Sequence, residues 1–209
     1  AAFLYGPPGI GKTVSVEALA NDPVTVPGTT CRMKLQLVSR NDVNVSLRCI
    51  SYPDLDSATE VTLKKNELLT MNHEFTVPKS TPYSSPYWLK NEHDAGLFSI
   101  DNLQMIGSAE NAPAFHASAK FVIEGIELSV VVSLVNKYTD PVRGEVYRPL
   151  EVLPPVTIST EQRNAAFFNK TPGQLSVTIR CNTDSIKGKL TGTISDSWQF
   201  TDDDTLLEF

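Results

Sequence analysis

Cys31-Arg32-Met33-Lys34-Leu35-Gln36-Leu37 alternates apolar and polar residues without a break. Successive side chains of a strand point to opposite faces, so the run has one apolar and one polar face as a strand and none as a helix. Val43-Asn44-Val45-Ser46-Leu47-Arg48-Cys49 repeats the pattern after the turn-like Asn41-Asp42, and the two runs read as an antiparallel hairpin. Further strands are expected at 70–77, 120–123, 126–134, 157–159, 175–181 and 189–194, separated by Pro, Gly, Asn and Asp, with Glu124-Gly125 as a hairpin tip. No long amphipathic helix is visible. The expected fold is all-β, an antiparallel β-sandwich of immunoglobulin-like type in which each sheet buries one face against the other, followed by a second, smaller or truncated β unit.

The chain has 209 residues, enough to bury a sizeable core. Hydrophobic residues at 41% and charged residues at 20% are ordinary globular usage, which argues against disorder, and no apolar run reaches the length of a membrane helix. Eighteen Lys+Arg against 24 Asp+Glu leave a formal charge of −6, so a broad basic face for nucleic acid is not expected. No basic segment precedes an apolar run with a cleavage site, so no signal peptide is read.

Cys31, Cys49 and Cys181 form no C-x-x-C pair and are odd in number, which supports neither a zinc ribbon nor a disulfide framework. Cys31 and Cys49 keep register with apolar neighbours and are read as small buried hydrophobes, a disulfide between them remaining open. His73, His93 and His116 are isolated and give no metal-ligand spacing. Glu92-His93-Asp94 and Asp202-Asp203-Asp204 read as solvated polar stretches rather than cation sites.

Gly6-Pro7-Pro8-Gly9-Ile10-Gly11-Lys12-Thr13 fits G-x-x-x-x-G-K-[ST] in full and resembles the Walker A loop of AAA-type ATPases. On that reading the backbone around Gly6, Gly9 and Gly11 cradles phosphates, Lys12 reaches the β and γ phosphates, and Thr13 holds Mg²⁺ of bound ATP or GTP. The surroundings oppose it. The required helix would run over 12–20, where Val14 and Val16 alternate as in a strand, and no βαβ unit comes after Pro23. The nearest match to an apolar strand ending in an acid is Leu97-Phe98-Ser99-Ile100-Asp101. Segment 1–13 therefore reads as foreign to the rest of the chain, or as unstructured.

Segment 81–114 is rich in Pro and aromatics and lacks periodicity, as a long, partly packed connection does. Tyr83, Tyr87 and Trp88 within it are the candidate surface for a glycan or a protein partner: a planar apolar face with polar rims suits a sugar ring, and core or interface packing is the other account of these residues. The three prolines of Arg148-Pro149-Leu150-Glu151-Val152-Leu153-Pro154-Pro155 mark a candidate inter-domain linker. The expected organisation is segment 1–13, a β-sandwich over 14–155 and a partial second sandwich over 156–209.

Four stretches occur in a familiar order: Thr81-Pro82-Tyr83-Ser84-Ser85-Pro86-Tyr87-Trp88-Leu89, Met105-Ile106-Gly107-Ser108-Ala109-Glu110-Asn111-Ala112-Pro113, Asp140-Pro141-Val142-Arg143-Gly144-Glu145, and Tyr147-Arg148-Pro149-Leu150-Glu151-Val152-Leu153-Pro154-Pro155-Val156. From about residue 14 onward the chain resembles the region C-terminal to the catalytic domain in large bacterial PIG-L-type (LmbE-like) deacetylases. Such catalytic domains hydrolyse N-acetyl groups of amino sugars with zinc held by H-P-D-D and H-x-x-H motifs, neither of which is present here. The resemblance thus implies no catalytic, cofactor or metal residue in this chain. It implies a non-catalytic accessory module that supports a PIG-L-type catalytic domain or binds glycan or a partner, acting in the periplasm or outside the cell, with Trp198 in the core of the second unit. Two function classes stay open at this point: that accessory module, and ATP or GTP binding through residues 6–13.

Overall fold

A computed structural model describes residues 2–3, 14–92, 95–160, 176–191 and 205–208. They form fifteen strands, no α-helix and two single 3-10 turns. In chain order the strands are β1 (Ala2–Phe3), β2 (Val14–Ala20), β3 (Val24–Thr25), β4 (Thr30–Ser39), β5 (Val45–Ser51), β6 (Asp56–Leu63), β7 (Leu68–Thr76), β8 (His116–Ile123), β9 (Ile126–Asp140), β10 (Gly144–Pro149), β11 (Glu151–Val152), β12 (Val156–Thr160), β13 (Val177–Cys181), β14 (Lys187–Leu190) and β15 (Thr205–Glu208). The chain divides into two compact units, Ala1–Val152 and Leu153–Phe209.

In the first unit a nine-stranded sheet runs β6-β5-β8-β9-β2-β4-β7, with β1 also on β2 and β10 also on β9. It curls around one core into a nearly closed, barrel-like wrap. The long strand β9 joins the two halves: residues 126–133 pair with β8 and residues 134–136 with β2. Pairing is antiparallel apart from β2 with β9, β11 with β3 and one isolated bridge between Ser39 and Lys65.

Alternation decides which face of each strand is buried. Cys31, Met33, Leu35 and Leu37 of β4 all point inward and are 7% exposed or less. Val14, Val16 and Ala18 of β2 meet them, and Leu47, Phe121 and Val132 contribute from β5, β8 and β9 of the other half. At about 25 cal/mol per Å² of apolar area removed from water, these interlocked rows are the main stabilising term of the unit.

The expected hairpin between 31–37 and 43–49 is not formed. β4 pairs with β2 and β7, whereas β5 pairs with β6 and β8 in the opposite half. A tight two-residue hairpin needs backbone at positive φ, and no residue of 40–44 has it. The connection instead crosses between halves and docks on the β6–β7 turn, where Asn66, at φ 59°, donates its backbone N–H to Ser39 O at 2.7 Å and Lys65 pairs with Asp42. At Glu124-Gly125 both residues do have positive φ, and the hairpin read there joins β8 to β9.

Cys49 also departs from expectation. The ladder of β5 shifts register between Leu47 and Cys49, and this bulge gives the core position to Ile50 and leaves Cys49 half-buried. All three cysteines are free thiols, so the Cys31–Cys49 disulfide is absent. Segment 148–155, read as a linker, is in large part structural. Arg148 and Pro149 belong to β10, while Leu150 and Val152 are buried in the core and β11 pairs with β3.

Among the described residues, the second unit contains the antiparallel pairs β12 with β13 and β14 with β15. Asn182 caps the base of the first pair, its backbone N–H on Pro155 O and its amide Nδ2 on Pro154 O, both at 2.8 Å.

Candidate functional site

Between β7 and β8 the chain makes an excursion of 37 residues, 78–114, whose two ends are fixed in the core. Val77 and Phe115 are both buried, and the Phe115 ring meets Phe75 edge-on with centroids 5.2 Å apart. Val77 exchanges backbone hydrogen bonds with Gly28 and Thr29, the glycine lying at φ 91° with the Lys79 stem where a Cβ would approach to 3.5 Å.

Polar groups hold the excursion together. The Ser84 backbone N–H donates to Val152 O at 2.7 Å, and Val152 N–H donates to Ser84 Oγ at 2.9 Å. Tyr87 N–H donates to Asn111 Oδ1, Asn111 Nδ2 donates to Ser85 O, and the Tyr87 hydroxyl donates to Ser108 O. Lys90 and Asn91 both donate to Asp101, at 2.7 and 2.8 Å, and the hydrogen bonds from Lys90 and Asn91 hold its carboxyl below the usual aspartate range.

The large apolar side chains of the same segment face outward: Leu97 is 72% exposed, Leu103 74% and Ile106 61%, with Tyr83, Leu89 and Phe98 at about half. Single exposed apolar residues are ordinary, but six within 24 consecutive positions of one polar-tied loop make an unusual surface.

Of the residues singled out from sequence, Tyr83, Tyr87 and Trp88 all lie in this loop, but they do not form a flat platform. Tyr87 and Trp88 cross edge-to-face at 89° with centroids 4.9 Å apart, and both are half-buried, while Tyr83 is exposed. Gly6, Gly9, Gly11, Lys12 and Thr13 lie outside the described residues, as do His93, Asp94, Trp198 and 202–204. Immediately after the glycine-rich octapeptide, Val14–Ala20 is a strand, so the helix whose N-terminal N–H groups a phosphate loop uses is not present over those residues. Asp101, the acid at the end of the apolar run 97–101, is committed to Lys90 and Asn91. Among the described residues no group of three or more His, Cys, Asp or Glu is arranged to hold a metal ion.

His73 and a second polar cluster emerge only in three dimensions. His73 stacks on Tyr52 with centroids 4.0 Å apart and its Nε2 lies 2.7 Å from Asp54 Oδ1, which ties β7 to the β5–β6 turn across the two halves of the sheet. On β2, β9 and β10, Lys137 Nζ lies 2.9 Å from Glu145 and 3.8 Å from Glu17, with the Tyr147 ring beneath it at 5.3 Å. The Glu145 hydrogen bond raises the Lys137 ammonium well above its ordinary value. Glu17 and Tyr147 are 130 residues apart, and no sequence spacing signals their meeting.

No protein-family model matches the chain, and no curated protein matches it. Two solved structures are similar to it in part. The alkylpurine DNA glycosylase AlkC of Pseudomonas fluorescens, solved bound to DNA containing an abasic site analog, aligns at 12% identity and a TM-score of 0.26, over 59% of this chain and 31% of that one. The sporulation control protein Spo0M of Bacillus subtilis aligns at 11% identity and a TM-score of 0.27, over 96% of this chain and 91% of that one. The chain thus spans about a third of the AlkC chain.

Proposed function

We propose that the chain is a non-catalytic accessory module, an immunoglobulin-like β-sandwich with a smaller β unit behind it, that supports a PIG-L-type N-acetyl-sugar deacetylase domain of a larger polypeptide. The observation that carries this reading is the excursion 78–114: its polar groups are spent on holding its own shape while Leu89, Leu97, Leu103 and Ile106 are left to solvent. A loop built that way is suited to bury aliphatic surface against another folded domain. The crossed rings of Tyr87 and Trp88 favour such a protein contact over stacking of a sugar on that loop, since a sugar face needs an open ring face. The partner follows from the family resemblance, in which this region adjoins the catalytic domain.

Sedimentation of the chain mixed with a separately produced PIG-L-type catalytic domain of its own polypeptide tests the reading. A complex is expected, and Leu97→Asp with Leu103→Asp is expected to weaken it at least tenfold. Failure of the two to associate at tens of micromolar overturns it.

A further inference from the structure

We propose that the free edge of β7 pairs with the same edge of a second copy of this chain, antiparallel about a two-fold axis at Asn72. Among the described residues β6, β7 and β10 are each paired on one side alone, which leaves a row of backbone N–H and C=O groups open to another strand. Two of these edges are blunted. β6 carries Asp56 and Glu60 and its ladder shifts register at a bulge, while β10 is only six residues long, carries Glu145 and Arg148 and ends in Pro149. β7 has none of these devices. Its nine residues, Leu68–Thr76, keep one register against β4 throughout and include no proline, and its one carboxylate, Glu74, is taken up by Arg32 of β4 at 3.0 Å.

The sequence of β7 is complementary to itself. A two-fold axis perpendicular to the sheet keeps outer side chains on the outer face and pairs positions equidistant from the axis. Asn72 is the middle residue of 68–76, so the register that overlaps the whole strand sets Asn72 opposite the second copy's Asn72. Each amide brings a donor and an acceptor, and the two can exchange them. On the same exposed face Thr70 stands opposite the second copy's Glu74 and Leu68 opposite its Thr76, so no like charges meet and each Glu74 keeps Arg32 on its own side. On the core side Leu69 and Met71 are only half-buried at the rim of the core, and this register sets the second copy's Phe75 and His73 beside them. An isologous contact requires such a self-match, which selects a second copy over an unrelated extended peptide.

This inference uses no residue of the excursion and does not rest on its docking role. The test is sedimentation equilibrium of the full 209-residue chain, up to hundreds of micromolar, beside Asn72→Lys, Asn72→Glu and an equimolar mixture of the two variants. Asn72 is exposed, so the single chain tolerates either substitution. The unmodified chain is expected to dimerise. Each variant alone should dimerise at least tenfold more weakly, because like charges then meet on the axis, and the mixture should recover a mixed dimer. A chain that stays monomeric throughout, a dimer that survives both substitutions, or a mixture that stays monomeric overturns the proposal. Amide hydrogen exchange on the unmodified chain decides the matter even where a variant fails to fold: alternate amides of 68–76 should slow as concentration rises. Exchange that is fast at every concentration overturns the proposal, and so does exchange that is slow at every concentration, which would place another segment of the same chain on this edge. Absence of the dimer with the domain complex intact would overturn this inference and leave the docking role standing.

Discussion

Ser84 and Val152 satisfy each other's polar groups, the Ser84 N–H on Val152 O and the Val152 N–H on Ser84 Oγ, so the excursion is clamped to the last strand of the first unit. Val152 is fully buried. Ser84→Ala leaves the Val152 N–H without a partner, which costs about 1–3 kcal/mol. A fall in the urea midpoint with unchanged slope, and faster proteolysis within 81–114, are the expected readouts.

Asn136 is a buried polar residue on β9, and its Nδ2 donates at 3.2 Å to the carbonyls of both Ala20 and Asn21. It takes up two acceptors where β2 ends and β9 continues. Asn136→Asp removes the donor and sets a carboxylate against two carbonyl oxygens. The loss of stability should exceed that of Asn136→Ala, which is expected at about 1–3 kcal/mol, as compared by denaturant unfolding.

Asp101 has a carboxyl held below its ordinary 3.8 by Lys90 and Asn91. A depressed carboxylate favours the folded loop above the unfolded value, and that contribution is lost as pH falls through the lower, folded value. Carboxyl NMR of Asp101 should therefore show a midpoint under 3.8 that moves back up in Lys90→Met. An unchanged midpoint in that variant would show that Lys90 is not the cause.

Burial pushes the Cys31 thiol up from 9.0 to about 11, with Asp22 adding to the rise. Here the neutral thiol is the form the fold prefers, so stability falls as pH climbs between 9 and 11. At about pH 8 a thiolate-specific reagent should modify Cys31 only after denaturant unfolds the chain.

Which face of each strand is buried was legible from period two alone: Met33, Leu35 and Leu37 point inward as their alternation requires. Which strand lies beside which was not, because alternation specifies a face and says nothing of a neighbour. The Glu124-Gly125 tip was readable since its glycine supplies the positive φ of a tight hairpin, whereas Asn41-Asp42 has the composition of a turn without that backbone. Cys49 was misplaced by a one-residue bulge, which no periodic pattern contains. The excursion was visible as an aperiodic Pro-rich stretch, but the crossing of Tyr87 and Trp88 depends on the fold of the loop. The Lys137 cluster depends on β2 meeting the β9–β10 hairpin from far away in the chain.

The parallel contact of β2 with β9 places Ala20 beside Asn136, 116 residues later. During synthesis at about 5–20 residues per second, the stretch 18–20 on one edge of β2 therefore waits on the order of 6–25 s for its neighbour to be made. Throughout that interval Ala18, Leu19 and Ala20 offer open backbone donors and acceptors to any strand that comes by. In a cell this chain is most exposed to mispairing before residues 134–136 have left the ribosome, and chaperone demand should concentrate there.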